Sequence, residues 1–508
     1  MPPVRPMRQR IQAASQPKVA PQIIPISITG WNTRDALSAM DPTDAVVLDN
    51  WYPDAGGLTV RNGSKIFCQG LGPGYVNTLA EYTADVKNVF IAARGTRVYD
   101  ITSGSPKILA GGFSSDIWQT ANFSGRFFMV NGEDDIQSYD GSSFGAAGFT
   151  GTDTTEVIGV NAFKNRLYFW QKNSQSFWYG DLNAITGTLH EFPLSRVANT
   201  GGNLICMTTM SHDGGEGISD LAVFIMSSGE VIIYQGTDPS DADLWALYGR
   251  YRISPPVSPR AVARYGAESY LTTYDDYVPL QQQLVALKVG QIPPRSKISG
   301  AVQAAIAANQ NTYGWQSIFY PKGRRLIFNV PNPDGTFDQH VFNVSQNAYC
   351  RFTGNDGACW AVFNNNLYYG GATGIVWQAD IGTRDRGQPI SFDGQAAWND
   401  FGDPRRKRIS AVRPTLETLG VADLQFGVGF DYRDIMLTTL TKTLDVPGSP
   451  WDTSPWDTSS WSVETGIDNR WRLMGGSGTA MGYRLRGSTR TNLQWLRTDV
   501  RYEIGRDL

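Results

Sequence analysis

Leu167-Tyr168-Phe169-Trp170 decides the fold, because it is one of seven such runs spread along the middle of the chain. The others are Val89-Phe90-Ile91-Ala92, Phe127-Phe128-Met129-Val130, Ala222-Val223-Phe224-Ile225, Tyr270-Leu271-Thr272-Thr273, Leu326-Ile327-Phe328-Asn329 and Leu367-Tyr368-Tyr369-Gly370. Counted from Phe90, successive units start 37, 41, 55, 47, 57 and 41 residues apart, at Phe127, Tyr168, Val223, Tyr270, Ile327 and Tyr368. Each run is preceded by an apolar strand and followed by a Gly/Asn/Asp turn and a third strand. One small antiparallel sheet per period is the sequence signature of a β-propeller. The reading is an all-β fold: a β-propeller of about seven blades over residues 76–380, with function to be sought in its loops, rim and attachments.

Outward from the repeats, residues 1–28 are rich in Pro, Gln and Ala and carry Arg5, Arg8 and Arg10, which reads as an extended N-terminal arm. Residues 29–75 form the segment that leads into the propeller. Within it, 58–67 reads as a strand with an Asn62-Gly63 turn that closes the ring against the last blade. Within 76–380, residues 297–310 interrupt the β pattern. Ile298, Val302, Ala305 and Ile306 recur at three- and four-residue steps, predicting an amphipathic helix capped by Ser296 or Ser299. Residues 381–508 read as a C-terminal β-sandwich-like domain, with alternation in Leu424, Phe426, Val428 and Phe430 and again in Val500, Tyr502 and Ile504.

Of the 508 residues 18% are charged and the net charge is −3, which does not favour a free-standing nucleic-acid binder and suits a protein that covers much of its surface with neighbours. No apolar run reaches the ~20 residues of a membrane span, and the basic N-terminus has no apolar segment after it to make a secretory signal. Cys68, Cys206, Cys350 and Cys359 show no metal or redox spacing and read as small buried hydrophobes; Cys350 and Cys359 flank a turn and can face each other on adjacent strands.

Chemistry is sparse. His190, His212 and His340 are far apart in sequence. Ser211-His212-Asp213-Gly214-Gly215-Glu216-Gly217 has the composition of a hard-cation loop and equally of an inter-strand connection. Glu133-Asp134-Asp135 and Asp275-Asp276 are acids at hairpin tips, where turns favour Asp in any case. No nucleophile elbow, Walker loop or dinucleotide fingerprint is present, so no enzyme activity, catalytic residue, cofactor or metal is expected. Arg405-Arg406-Lys407-Arg408 is a candidate contact to phosphate or to an acidic adaptor. Trp451, Trp456 and Trp461, five residues apart in a Pro/Ser/Asp-rich stretch, match neither helical nor strand period. They are candidate interface anchors, with a sugar platform or self-packing as alternatives.

Gly30-Trp31-Asn32-Thr33-Arg34-Asp35, Asp44-Ala45, Leu48-Asp49-Asn50-Trp51 and Arg61-Asn62-Gly63 resemble the opening of structural proteins of tailed bacteriophages. The Trp451-Asp452-Thr453-Ser454-Pro455-Trp456 loop and the ending Tyr483-Arg484-Leu485-Arg486-Gly487, Trp495, Asp499-Val500 and Tyr502-Glu503 look like the same group. The group is similar to the tail nozzle, or tail hub (tail tubular protein B-like), of short-tailed phages. The family also carries inserts near its distal tip, and this chain is compact by comparison. The resemblance implies a virion tail protein assembled in the host cytoplasm, with six copies in a ring beneath the portal and adaptor. It further implies tail fibres or spikes as neighbours and genome DNA passing through the lumen without sequence specificity. Trp31 and Arg34 join the three loop tryptophans as candidate interface residues. A receptor- or glycan-binding propeller at the tail tip, which would lose glycan binding on Trp451→Ala or Trp456→Ala, and a glycan hydrolase using Asp275, Asp276 or Glu133 are the rival readings.

Overall fold

The seven aromatic runs each fall on the second strand of an antiparallel meander: Phe90 in Asn88–Arg94, Phe127 in Arg126–Val130, Tyr168 in Arg166–Gln171, Val223 in Ile218–Met226, Tyr270 in Glu268–Thr272, Ile327 in Arg325–Pro331 and Tyr368 in Asn366–Gly370. In Arg126–Val130 and Arg166–Gln171 nearly every side chain is buried, on both faces. A strand sandwiched between neighbouring sheets has no solvent face, so it is written as a continuous apolar run rather than as alternation. The hairpins are tight where the sequence permits left-handed backbone: Lys164 and Asn165, φ 46° and 59°, join Val157–Phe163 to Arg166–Gln171. This computed structural model describes residues 21–84, 87–213, 218–418, 422–440 and 466–504.

The described chain is nearly all β, with a β-propeller arrangement. Six sheets of three or four strands stand as separate sheets, and a further meander, from Gln316–Tyr320 to Ala348–Phe352, is one end of a ten-stranded sheet. First strands pack on first strands: Thr78–Thr83 on Gln119–Phe123, that on Val157–Phe163, and that on Leu204–Asp213. Likewise Val262–Tyr265 packs on Gln316–Tyr320, that on Cys359–Phe363, and Cys359–Phe363 returns to Thr78–Thr83. The fourth strand of the last sheet comes from the start of the chain, where Ser64–Cys68 pairs antiparallel with Val376–Ala379. That pairing covers an edge that would otherwise present unpaired backbone groups.

The ten-stranded sheet runs on from Ala348–Phe352 through Gly30–Trp31 and Asp44–Asp49 to Ile390–Ala396, Met481–Thr489 and Ala422–Phe430. Facing it, a seven-stranded sheet is built on the long pair Lys407–Thr418 and Leu493–Ile504 and extended by Gly57–Val60 and Trp51–Asp54. Aromatics from both sheets interlock: Trp51 lies 4.8 Å from Phe392 and 5.8 Å from Trp495, and Trp495 lies 5.3 Å from Tyr483. Residues 29–75 therefore serve two bodies, up to Val60 in the paired sheets and from Ser64 in the last propeller sheet.

Two α-helices are described, α1 (Leu280–Lys288) and α2 (Ser299–Asn309). Val302 and Ile306 of α2 are buried, as their spacing requires, but neither serine caps it. The Ser296 hydroxyl and amide both go to Asp276 instead, the amide at 2.6 Å. The helix leaves the β pattern to touch the lead-in segment, where the Ala301 amide donates to Thr33 Oγ1 at 2.9 Å. α1 was not among the expected elements, although Leu280, Leu284 and Leu287 stand at helical spacing. All four cysteines are free and buried, so Cys350 and Cys359 do not pair; burial pushes the Cys206 and Cys359 thiols up to about 12.

Candidate functional site

Among the described residues, Trp51 and Leu58 near the start of the sequence meet Tyr483 and Trp495 near its end at one seam. Asn50 is its hub. At φ 59° it holds a left-handed conformation that Asn tolerates better than most residues. Its side-chain amide donates to Thr353 Oγ1 at 2.9 Å and to the Ser391 carbonyl at 2.8 Å, and its oxygen accepts from Arg61 Nε at 2.7 Å and from the Thr353 amide at 2.9 Å. Arg61 is buried and completes the joint. Nη1 donates to Asp385 Oδ1 at 2.9 Å, while Nη2 donates to Asp385 Oδ2 and to the Thr353 carbonyl. A fork–fork pair of this kind fixes orientation as well as charge. Next to Asn62, Gly63 is obligatory for space: a Cβ there would sit 2.0 Å from the Arg384 carbonyl oxygen.

A row of charges crosses the ten-stranded sheet beside this hub. Asp49 stands opposite Arg351 on one side and Asp393 on the other, and Asp393 stands opposite Arg486. Arg351 grips Asp49 through two bonds of 2.7 and 2.6 Å; Arg484 grips Asp393 at 2.8 and 2.6 Å. Bonding to the carboxylates raises both guanidinium pKa values above their ordinary range. In the facing sheet Arg413 pairs with Asp499. The two like-charged carboxylates are adjacent only because each has its own arginine. Beside this row opens a cavity of about 970 Å³ whose wall includes Asp49, Asp393, Asp423 and Arg486.

Trp31 is not a surface anchor: it is 7% exposed, donates from Nε1 to the Val46 carbonyl at 3.2 Å, and stands edge-on to His340 at 5.2 Å. Arg34 is exposed and grips Asp35 at 2.8 and 3.0 Å, which holds that carboxyl down to about 2, while Nη1 donates to the Arg295 carbonyl. Trp451, Trp456 and Trp461 lie outside the described residues, as do residues 214–217 of the glycine-rich loop.

The basic run does not act as a block: the strand begins at Lys407, and alternation from there turns Lys407 inward and Arg408 outward. Arg405 pairs with Asp403, Arg406 donates to Ser477 Oγ at 3.2 Å, and Arg408 is exposed. Lys407 turns inward and gives its ammonium to the carbonyls of Asp403, Arg405 and Thr479, so it cannot reach a phosphate.

The hairpin acids are occupied structurally. Asp134 accepts from the Ser114 amide and Asn131, Asp135 accepts from Thr154, and buried Asp276 anchors Ser296. Glu133 and Asp275 are exposed. Among the described residues no group of three His, Cys, Asp or Glu side chains is arranged to hold a metal ion, and no helix is long and apolar enough to cross a membrane. His340 is fully buried, with Nδ1 2.8 Å from Tyr277 Oη, and burial together with Arg351 pushes it down to about 3.

No family model matches this chain, and no curated protein does. Similar solved structures include the computationally designed Ika8 protein, at 10% identity over 69% of this chain and 99% of that one, TM-score 0.37. BBS1N in complex with ARL6DN is similar at 9% identity over 63% and 98%, TM-score 0.39. Raptor of Chaetomium thermophilum is similar at 9% identity over 63% and 29%, TM-score 0.38.

Proposed function

We propose that this chain is a structural subunit of the tail nozzle of a short-tailed bacteriophage, one of six copies around a channel that retains the genome and passes it at ejection. The observation that carries this reading is the seam. Residues 30–63 and 483–502, two of the stretches that resemble tail proteins, meet through Trp51, Trp495 and Tyr483 and through the pairing of Gly57–Val60 with Leu493–Ile504. In this reading the seven meanders are seven blades of one closed ring, supported by the contact of the Cys359–Phe363 strand with Thr78–Thr83. The paired sheets form the C-terminal domain and dock on the adaptor ring and on neighbouring copies. The genome does not run along the propeller axis: the cavity there is about 370 Å³. A duplex whose major groove alone is about 12 Å wide needs far more room. The lumen lies between copies, and a net charge of −3 suits a wall that must not hold phosphates.

The test is native mass spectrometry and negative-stain imaging of the full chain, alone and with the adaptor of the same virion. A six-fold ring with a pore wide enough for duplex DNA is expected, in at least the adaptor-bound sample. A monomer in both samples that binds a surface glycan overturns the reading in favour of a receptor-binding propeller.

A further inference from the structure

The first strands of the propeller sheets leave a cavity of about 370 Å³ between them, and its wall is chemically one-sided. It contains two arginines, Arg260 and Arg264, and no carboxylate, in a chain whose acids outnumber its bases. Strand alternation in Val262–Tyr265 sends Ala263 into the core and Val262 and Arg264 to the cavity.

Arg260 is held firmly by a minority of its donors. Nη1 donates to the Asn77 carbonyl at 2.9 Å and to Tyr313 Oη, which donates in turn to the same carbonyl, and the guanidinium lies 5.7 Å over the Tyr313 ring. Its Nε and Nη2 make no hydrogen bond among the described residues. Arg264 uses only Nε, toward the Gly266 carbonyl at 3.2 Å. Gln119 and Thr120, also in the wall, make no side-chain hydrogen bond among the described residues. Arg260 is half-buried and fixed in place, and Arg264 is exposed beside it; a concave wall with unspent donors of one sign concentrates counter-charge.

We propose that this axial cavity binds a small oxyanion, a phosphate or a carboxylate, between Arg260 and Arg264. The guanidinium edge matches the spacing of two oxygens on either group, and Thr120 and Gln119 supply neutral hydrogen bonds to the rest. The size suits a single small molecule and excludes a polymer threading the ring. The inference does not depend on the tail reading, since it concerns the propeller axis and not the lumen between copies.

Isothermal titration calorimetry of the full chain at low ionic strength tests it, with inorganic phosphate in one arm and succinate in the other. Saturable one-site binding is expected in at least one arm, and which arm responds identifies the oxyanion. Arg264→Gln is expected to weaken it on the order of tenfold or more. Thr120→Val should weaken it less, and Arg97→Gln, an exposed arginine away from the cavity, should leave it unchanged. Circular dichroism and thermal unfolding of each variant separate lost binding from lost folding. No binding by wild type in either arm, or equal binding by folded Arg264→Gln, overturns the proposal.

Discussion

The propeller sheets and the seam are held together by different physics. Within the propeller the cores are apolar and divided among clusters that follow the sheets. One of them holds an aromatic stack: Phe177 lies 4.6 Å from Phe224 with planes 8° apart, and Tyr234 lies 5.2 Å from Trp245 at the same angle. The seam also has its aromatics, but its register is written in ion pairs between residues hundreds of positions apart, such as Arg61 with Asp385 and Arg351 with Asp49. Apolar packing is tolerant of small shifts, whereas a buried fork–fork pair is satisfied in one alignment only. The contrast indicates that the sheets need burial and the seam needs alignment, as expected where the two chain ends must meet in one fixed geometry.

Substitutions that remove one kind of glue at a time break this comparison. Phe224→Ala, at a fully buried ring in the stack, should destabilise by about 3–5 kcal/mol in urea unfolding. The loss should appear first as faster hydrogen exchange in the propeller sheets, with amides of the Lys407–Thr418 pair still protected. Arg61→Met should cost about 3 kcal/mol, because it strands Asp385 with little solvent. Adding Asp385→Leu to Arg61→Met should recover much of that loss if the pair serves alignment rather than net stability. A double variant no better than Arg61→Met would show that the pair itself stabilises the seam. The same exchange experiment should place this second loss at the seam.

How much of this was legible in the sequence follows the same division. The aromatic runs were readable because a doubly covered strand must be apolar at every position, a local signal. The α2 helix was readable from Ile298, Val302 and Ile306 at helical spacing, and α1 carries the same kind of local signal in Leu280, Leu284 and Leu287, at four- and three-residue steps. The seam was not readable. Arg61 and its partner Asp385 are 324 residues apart, and nothing within a window of twenty residues links them. Nor does a run of four basic residues announce where a strand begins, and it is as the first residue of a strand that Lys407 points inward. Trp31 was an interface candidate through the resemblance alone, and parallel pairing on both sides of Gly30–Trp31 puts it inside. The axial arginines carry no motif; only the closing of the sheets brings Arg260 and Arg264 beside Thr120.

A pH-dependent effect sharpens the comparison at the border of the two regions, where His340 of a propeller strand meets Trp31 of the lead-in segment and Tyr277 of the adjacent sheet. Burial first and the positive charge of Arg351 second push His340 down to about 3 from an ordinary 6.5. In the unfolded chain the imidazole takes up a proton as pH falls through 6.5, and in the folded chain it does not until about 3. The unfolded state therefore binds more protons across that window, so the contribution is fully present above 6.5 and erodes as pH falls, by at most about 1.4 kcal/mol per pH unit. Asp276 and Asp338 oppose it. Burial raises both carboxyls, so their contributions are fullest at low pH and decline as pH rises through their folded values. The observable is accordingly a difference. Urea midpoints of wild type and His340→Gln, whose amide still reaches Tyr277, are to be followed between pH 4 and 7. The wild type should lose stability relative to the variant as the solution is acidified. Parallel curves would mean that His340 titrates alike in both states and is not sealed at the border.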